Sequence, residues 1–450
     1  MNITKRLLPL LIAFFSVTLC MAATEKTAVS PKDVALSTEA KKLFKMAEVK
    51  SESEGYLFLL GIRAAPEDDP VEVGKKLLAE YRKIEQDHEY RPKEYPKSKE
   101  IKIPLGELYC APMDVECQRS LFKLNYNIDE IMSANKVIID RVEKLHRYNK
   151  IEYPTSFAVA ANPPFYTEIL FHEKIVRLKA IALSKSGKHK EAVDLLLSNI
   201  DLYRKHMAIN NDFVGKLICV MAISDNLDVL SIIISSNEGT LNIKKIKNLS
   251  RSEKDFQRAI AGLISSSYQS FLIDRKGKLG DDKVMSNKYF KVGKNTPFLP
   301  NVAINSLASE YKFLRNISLV TPKEFADIEG YKTKEAKTKQ EKSKIDELFK
   351  EKAQKCKSEG NVATDHMANC VMSRFFADVS IYAYKKYLGE LMDLDASISV
   401  FNQLYVEKKP ISEIRNPYYS DKFVYKKDGE ICFDGPLKDE KGFRCLTIAK

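Results

Sequence analysis

Two carboxylates in an apolar run near residue 393 are the side chains whose type and spacing best suit acid–base chemistry. Asp393 and Asp395 stand among apolar neighbours in Leu391-Met392-Asp393-Leu394-Asp395, and two carboxylates can divide the roles of general acid and general base. Residues two apart on a helix do not share a face, however. We therefore expect one of them to be a capping or salt-bridged residue and the other to be exposed.

Histidine and cysteine form no recognisable catalytic motif. His172-Glu173 lacks the second histidine of a zinc-peptidase helix, so we expect His172 to be an exposed or capping residue. Cys219 lies in the apolar stretch 216–223, and we expect no basic or imidazole neighbour that would favour its thiolate. Nucleophile-elbow serines and phosphate-binding glycine loops are also missing from the sequence. We predict no cofactor and no metal site, and the catalytic residues stay unassigned.

The spacing of the cysteines predicts disulfide bonds. Apart from Cys20, six of the eight cysteines fall into three local pairs in polar segments, and Cys219 stands alone. Zinc is the rival interpretation, but no pair has the two-residue gap of a zinc knuckle. We predict three short-loop disulfides and one buried thiol. The predicted pairs are Cys110–Cys117, Cys356–Cys370 and Cys432–Cys445.

The first 23 residues have the order of a secretory signal peptide. Lys5 and Arg6 precede an apolar run to Leu19, and small residues follow at Ala22 and Ala23. The run is shorter than the roughly 20 residues of a membrane span. Lipidation of Cys20 is an alternative, although a small residue would be expected in place of Leu19. We expect a periplasmic or secreted protein of a bacterial cell envelope.

Long helical patterns between sparse glycines and prolines predict a mainly α fold, a multi-helix array or bundle with helical hairpins. One hairpin turns at Ser186 to His189 and resembles a single tetratricopeptide unit, but no second copy is visible, so we favour an ordinary hairpin. The charge-dense stretch from Lys334 to Lys357 predicts a mobile or solvent-exposed helix. Two β-rich runs around Asp428-Gly429 predict a C-terminal β-hairpin.

These patterns divide the chain after the signal peptide into four segments. A helical segment with a disulfide-pinned loop covers 24–118, and a central helical domain covers 119–320. A charged, then apolar, helical segment covers 321–410, and the β-hairpin covers 411–450. The most apolar later stretch, Leu217 to Ile234, is interrupted by Asp225 and Asp228. We therefore expect no transmembrane span after removal of the signal.

The formal net charge of +12 favours weak attraction to anionic surfaces. The basic residues are scattered or mixed with acids, and no basic-aromatic signature of nucleic-acid binding occurs. An envelope protein or an anionic envelope component is therefore the expected partner, and nucleic acid is not. A basic surface without a specific partner is the alternative.

Several segments together resemble a family of uncharacterised, signal-bearing helical proteins of Gram-negative bacteria. The resemblance rests on the Gly55-to-Pro70 segment, the block from Arg177 to Leu230, Leu391-to-Asp395 and Asn416-Pro417-Tyr418. It implies the compartment and a helical fold, and it carries no known activity. The sequence thus predicts an exported helical binding or scaffold protein. The alternative is a hydrolase that cleaves envelope polysaccharide or peptidoglycan with acidic residues.

Overall fold

Helices make up most of the chain, as the helical spacing of apolar residues predicts. The computed structural model describes residues 33–48, 52–86, 92–102, 114–152, 166–237, 241, 243–262, 264–265, 297, 299–336, 344–358, 360, 364–439 and 442–448. The predicted signal peptide, which includes Cys20, and the predicted disulfide partner Cys110 lie outside these residues. The Cys110–Cys117 disulfide therefore stays a prediction.

Six short helices precede residue 150 in the described chain. They are α1 (Thr38–Ala47), α2 (Glu54–Leu60), α3 (Pro70–Gln86), α4 (Val115–Leu121), α5 (Ile128–Ala134) and α6 (Lys136–Leu145). Serine caps start two of them: Ser37 Oγ accepts from Ala40 N at 3.1 Å, and Ser53 Oγ accepts from Tyr56 N at 3.2 Å. Such caps satisfy amide groups that have no partner within the helix.

Eight further α-helices follow in the described residues, apart from a helical run at 257–262. They are α7 (Thr167–Lys185), α8 (His189–Ile209), α9 (Phe213–Ser235), α10 (Arg251–Lys254), α11 (Pro300–Ile317), α12 (Pro322–Ala336), α13 (Lys344–Ser358) and α14 (Thr364–Phe401). The α7–α8 pair is the predicted hairpin. Gly187 has a φ of +79°, which favours glycine, and Lys188 N donates to Leu183 O at 2.9 Å across the turn.

Helix α9 is the central helix of the core. It is long and apolar enough to cross a membrane, but the most apolar part of it is wholly buried by the rest of the protein, which is typical of a core helix. Helices α7, α8 and α14 and the last β-strand pack around it. Two of its buried polar residues have partners on other elements: Asp225 Oδ1 accepts from Gln118 Nε2 at 2.7 Å, and Asn226 Nδ2 donates to Glu173 Oε1 at 3.0 Å.

The charge-dense segment is only partly exposed. Its described part forms α13, and Lys352 and Cys356 are buried there. The disulfide Cys356–Cys370 joins α13 to α14, and the two helices pack against each other. The prediction of a mobile or solvent-exposed helix is therefore wrong for this face of α13, because the disulfide holds that face against the neighbouring helix.

The chain ends in a small antiparallel sheet. Strands β1 (Tyr425–Lys427) and β2 (Glu430–Cys432) form the predicted hairpin, and Asp428 and Gly429 both have positive φ in its turn. A third strand, β3 (Cys445–Thr447), pairs with β2, so the hairpin prediction is incomplete. The predicted disulfide Cys432–Cys445 links directly opposed residues of β2 and β3.

Candidate functional site

The two acids of helix α14 do not form a catalytic pair. Asp393 accepts hydrogen bonds from Tyr418 Oη at 2.5 Å and from Arg444 Nε at 2.7 Å. Asp395 accepts from Leu249 N at 2.8 Å and pairs with Lys254 Nζ at 2.5 Å. The two carboxylates thus face different parts of the protein. The expectation that one would be exposed is wrong: both are buried, and each is stabilised by bonds to a separate segment.

Asp393 holds the C-terminal segment onto helix α14. Burial raises the pKa of Asp393 to about 6, although the Arg444 guanidinium opposes this shift. Arg444 Nη1 also donates to Leu437 O at 2.6 Å, and its guanidinium lies 5.8 Å from the ring centroid of Tyr418. Residues 418, 437 and 444 are therefore fixed around one carboxylate. Arg444 also lines an adjoining cleft.

The C-terminal cleft opens between the β-hairpin and the loops before β1 and after β2. Its volume is about 480 Å³, and Arg444 and Phe433 are its buried members. Aromatic rings and charged groups share its lining, which consists of Tyr419, Lys422, Tyr425, Lys427, Glu430, Phe433, Asp434, Gly435, Asp439, Gly442, Arg444 and Cys445. No sequence pattern marks this site, because its residues converge only when β3 docks beside β2.

Several side chains of the cleft are already held in place. Lys422 Nζ lies 3.2 Å from Asp434 Oδ2 and 4.7 Å from the ring centroid of Tyr419. Tyr425 Oη donates to Asp434 Oδ1 at 3.4 Å. The Asp439 carboxylate accepts from the backbone amides of residues 442, 443 and 444 at 2.8–3.1 Å. The cleft is thus a preformed surface with ordered donors and acceptors.

Glu430 is a partly buried carboxylate in the lining of the cleft. Burial raises its pKa above the usual range, and Arg119, whose Nη2 lies 3.5 Å from Glu430 Oε1, opposes the shift. The Cys432 and Cys445 sulfur atoms lie within 4.8 Å of its carboxylate oxygen. Because both sulfurs are in the disulfide, they offer no thiolate to a metal ion.

Cys219 is a buried thiol, as predicted. It does have a basic neighbour, Lys216, so the expectation that it has none is wrong. Burial nevertheless raises the pKa of the Cys219 thiol, and this effect outweighs the opposing charge of Lys216. A thiol in this state is a poor nucleophile.

His172 is neither exposed nor a capping residue. It lies in a histidine cluster with His146 and His206, whose residues come from the end of α6, from α7 and from α8. The ring of His146 lies 6.1 Å from that of His172 and 5.3 Å from that of His206, measured between centroids. Long-range packing brings these side chains together, and no short motif marks them.

Much of the polar surface of the histidine cluster has no hydrogen-bond partner. Both ring nitrogens of His146, Nε2 of His172 and Nδ1 of His206 are buried and unpartnered. Burial lowers the pKa of His172 and of His206 to about 4 in each case, and Lys216 adds to the effect at His206. Burial also lowers the pKa of His146 well below its usual range. The cluster is therefore neutral at pH 7.

No protein-family model, curated protein or solved structure matches the chain. The resemblance to the signal-bearing helical family stays an expectation. The interpretation of the site therefore depends on its geometry.

Proposed function

We propose that this is an exported helical protein of the Gram-negative envelope, periplasmic or secreted, that binds an envelope component through its C-terminal cleft without catalysing a reaction. The observation that carries the proposal is the cleft itself, a preformed opening of about 480 Å³ lined by aromatic and charged side chains. By contrast, Asp393 and Asp395, the acids most suitable for catalysis by sequence, are buried and paired with Arg444 and Lys254.

Two further observations support export. The disulfides Cys356–Cys370 and Cys432–Cys445 are typical of proteins from an oxidising, extracytoplasmic compartment. The leader-like order of residues 1–23 fits the same compartment. The test is to fractionate cells by osmotic shock and to determine the N-terminus and the disulfides by mass spectrometry. A cytosolic protein that keeps its leader and has reduced cysteines would refute export. A lipid on Cys20 would instead show that the exported protein is anchored to a membrane.

Site-specific crosslinking tests the binding function. A photoreactive residue at Lys427, which is exposed and lines the cleft, is expected to form an adduct with an envelope component. The matched control carries the same residue at Val214, which is 44% exposed and is not part of the cleft lining. An adduct found only with the Lys427 variant supports binding in the cleft. Equal labelling at both positions, or none at either, contradicts it.

A hydrolase is the second candidate, and Glu430 is the observation in its favour. A carboxylic acid of raised pKa that shares a cleft with two other carboxylates, Asp434 and Asp439, supplies one part of the acid pair that glycoside hydrolysis requires. Incubation with envelope polysaccharide and with peptidoglycan, followed by mass spectrometry of the soluble products, tests this candidate. Products that the wild type releases and the Glu430→Gln variant does not would favour the hydrolase over the binding protein.

A further inference from the structure

One wall of the C-terminal cleft combines an aromatic ring with an ion pair. Tyr425 is 42% exposed, and its hydroxyl group lies 3.4 Å from Asp434 Oδ1. The other oxygen of Asp434 lies 3.2 Å from Lys422 Nζ. A ligand at this wall meets an apolar ring, a hydrogen-bond acceptor and a hydrogen-bond donor side by side. An aromatic ring beside convergent polar groups is a feature of small-molecule sites, and the lining of this cleft is mostly polar.

The charges in the cleft are balanced. The basic residues that line it are Lys422, Lys427 and Arg444, and the acidic ones are Glu430, Asp434 and Asp439. Lys422 and Arg444 are already paired, with Asp434 and Asp393 respectively. A phosphate or polyanion would compete with these carboxylates for Lys422 and Arg444, and an organic cation would compete with Lys422 for Asp434. The balance therefore disfavours a ligand with a large net charge of either sign.

A polyhydroxylated ligand fits these groups better. Each hydroxyl both donates and accepts, so neighbouring hydroxyls can bond the carboxylate and the ammonium group of an ion pair together. The C–H face of a sugar ring is apolar enough to pack on an exposed tyrosine. The cleft volume of about 480 Å³ is that of a site for a small molecule or for a few sugar rings.

We propose that the C-terminal cleft binds a neutral saccharide, one sugar ring packing on Tyr425 and its hydroxyls bonding the Asp434–Lys422 pair. This inference rests on the proposed binding function and narrows it to one class of ligand. It also revises the expectation of an anionic partner, because the net charge of the whole chain is not reflected in the cleft.

The test uses the oxidised mature protein and defined oligosaccharides. The neutral probes are tetrasaccharides of glucose, of mannose, of galactose and of N-acetylglucosamine, and the anionic probe is a tetrasaccharide of galacturonic acid. Saturation-transfer NMR detects binding, and titration gives the dissociation constant. At least one neutral probe is expected to bind saturably, and the anionic probe is expected to bind more weakly.

Variants locate the binding within the cleft. Tyr425→Ala and Asp434→Asn are each expected to weaken binding about tenfold, which is the effect of losing one well-packed ring or one bonded carboxylate. Phe423→Ala is the matched control, because Phe423 is an exposed aromatic residue two positions from Tyr425 that does not line the cleft. Circular dichroism and disulfide mapping show whether each variant folds.

The outcomes separate this inference from the proposed function. Stronger binding of the anionic probe, equal affinity of wild type and Tyr425→Ala, or no binding of any neutral probe overturns the saccharide inference. If the Lys427 photoadduct then proves to be a protein, the binding function stands and only the ligand class is wrong. If that adduct is also missing, both proposals fail.

Discussion

Replacement of His206 by glutamine tests whether the histidine cluster makes the fold sensitive to acid. His206 Nε2 accepts a hydrogen bond from Asn210 Nδ2 at 3.3 Å, and the side-chain oxygen of glutamine can take over this role. The substitution therefore removes a titrating group and keeps its acceptor. Protonation of His206 in the folded protein would place a cation in a buried site near Lys216 and beside His146.

The size of the effect follows from proton linkage. The pKa of His206 is lowered to about 4 in the folded protein, whereas histidine in an unfolded chain titrates near about 6.5. The unfolded state thus binds more protons between these two values. The free energy of unfolding is therefore unaffected by His206 above its unfolded pKa. It decreases as the pH falls from there towards the pKa of His206 in the folded protein. At about pH 5 this single histidine is expected to cost about 2 kcal/mol.

Other buried groups titrate in the same range with the opposite sign. Burial raises the pKa of Asp393 to about 6 and that of Glu173 to about 7. These carboxyl groups hold protons more tightly when folded, so their contribution increases as the pH falls. The pH profile of the wild type alone therefore mixes both effects. The difference between wild type and His206→Gln isolates the histidine.

Urea unfolding followed by far-UV circular dichroism, at about pH 7.5 and about pH 5, measures this difference. Between these conditions the wild type is expected to lose about 2 kcal/mol more of its unfolding free energy than His206→Gln does. His366→Gln is the control, because His366 is half-buried and lies outside the cluster. Equal losses in wild type and His206→Gln would refute the reasoning.

Three further substitutions test other parts of the interpretation. His146→Leu is expected to stabilise the protein at neutral pH by about 1 kcal/mol in urea unfolding, because both ring nitrogens of His146 are buried without partners; destabilisation would contradict this. Asp393→Asn is expected to cost about 3 kcal/mol, because the buried charge of Arg444 loses its partner, and to speed proteolysis after residue 410; unchanged protection would count against the clamp. Replacement of Cys432 and Cys445 by serine is expected to cost about 3 kcal/mol, and an unchanged urea midpoint would show that the disulfide does not stabilise the fold.

Local features of the fold could be predicted because short segments determine them. The α7–α8 turn needs a residue of positive φ, and Gly187 supplies it. The β1–β2 turn similarly follows from Asp428-Gly429. Two disulfides close loops whose cysteines are 14 and 13 residues apart, so their pairing follows from proximity in sequence.

The burial of charged residues could not be predicted in the same way. Glu173 and Arg177 have the spacing of an exposed ion pair on a helix, yet both lie in the core, where Asp225 of α9 also contacts Arg177. Their burial depends on which faces of α7 are covered, and that depends on α9. The histidine cluster likewise joins positions 146, 172 and 206, which only tertiary packing brings together.

The C-terminal cleft depends on contacts that residues near the end of the sequence make with helices α9 and α14. Thr447 N donates to Asp228 Oδ1 of α9 at 2.9 Å, and Arg444 bonds Asp393 of α14. The Cys432–Cys445 disulfide then joins β2 to β3 between these two anchors. Because Arg444 and Cys445 line the cleft, the site is complete only when β3 has docked onto both helices. Oxidation restrains the same strand, so an oxidising environment favours the form of the protein in which the cleft is complete.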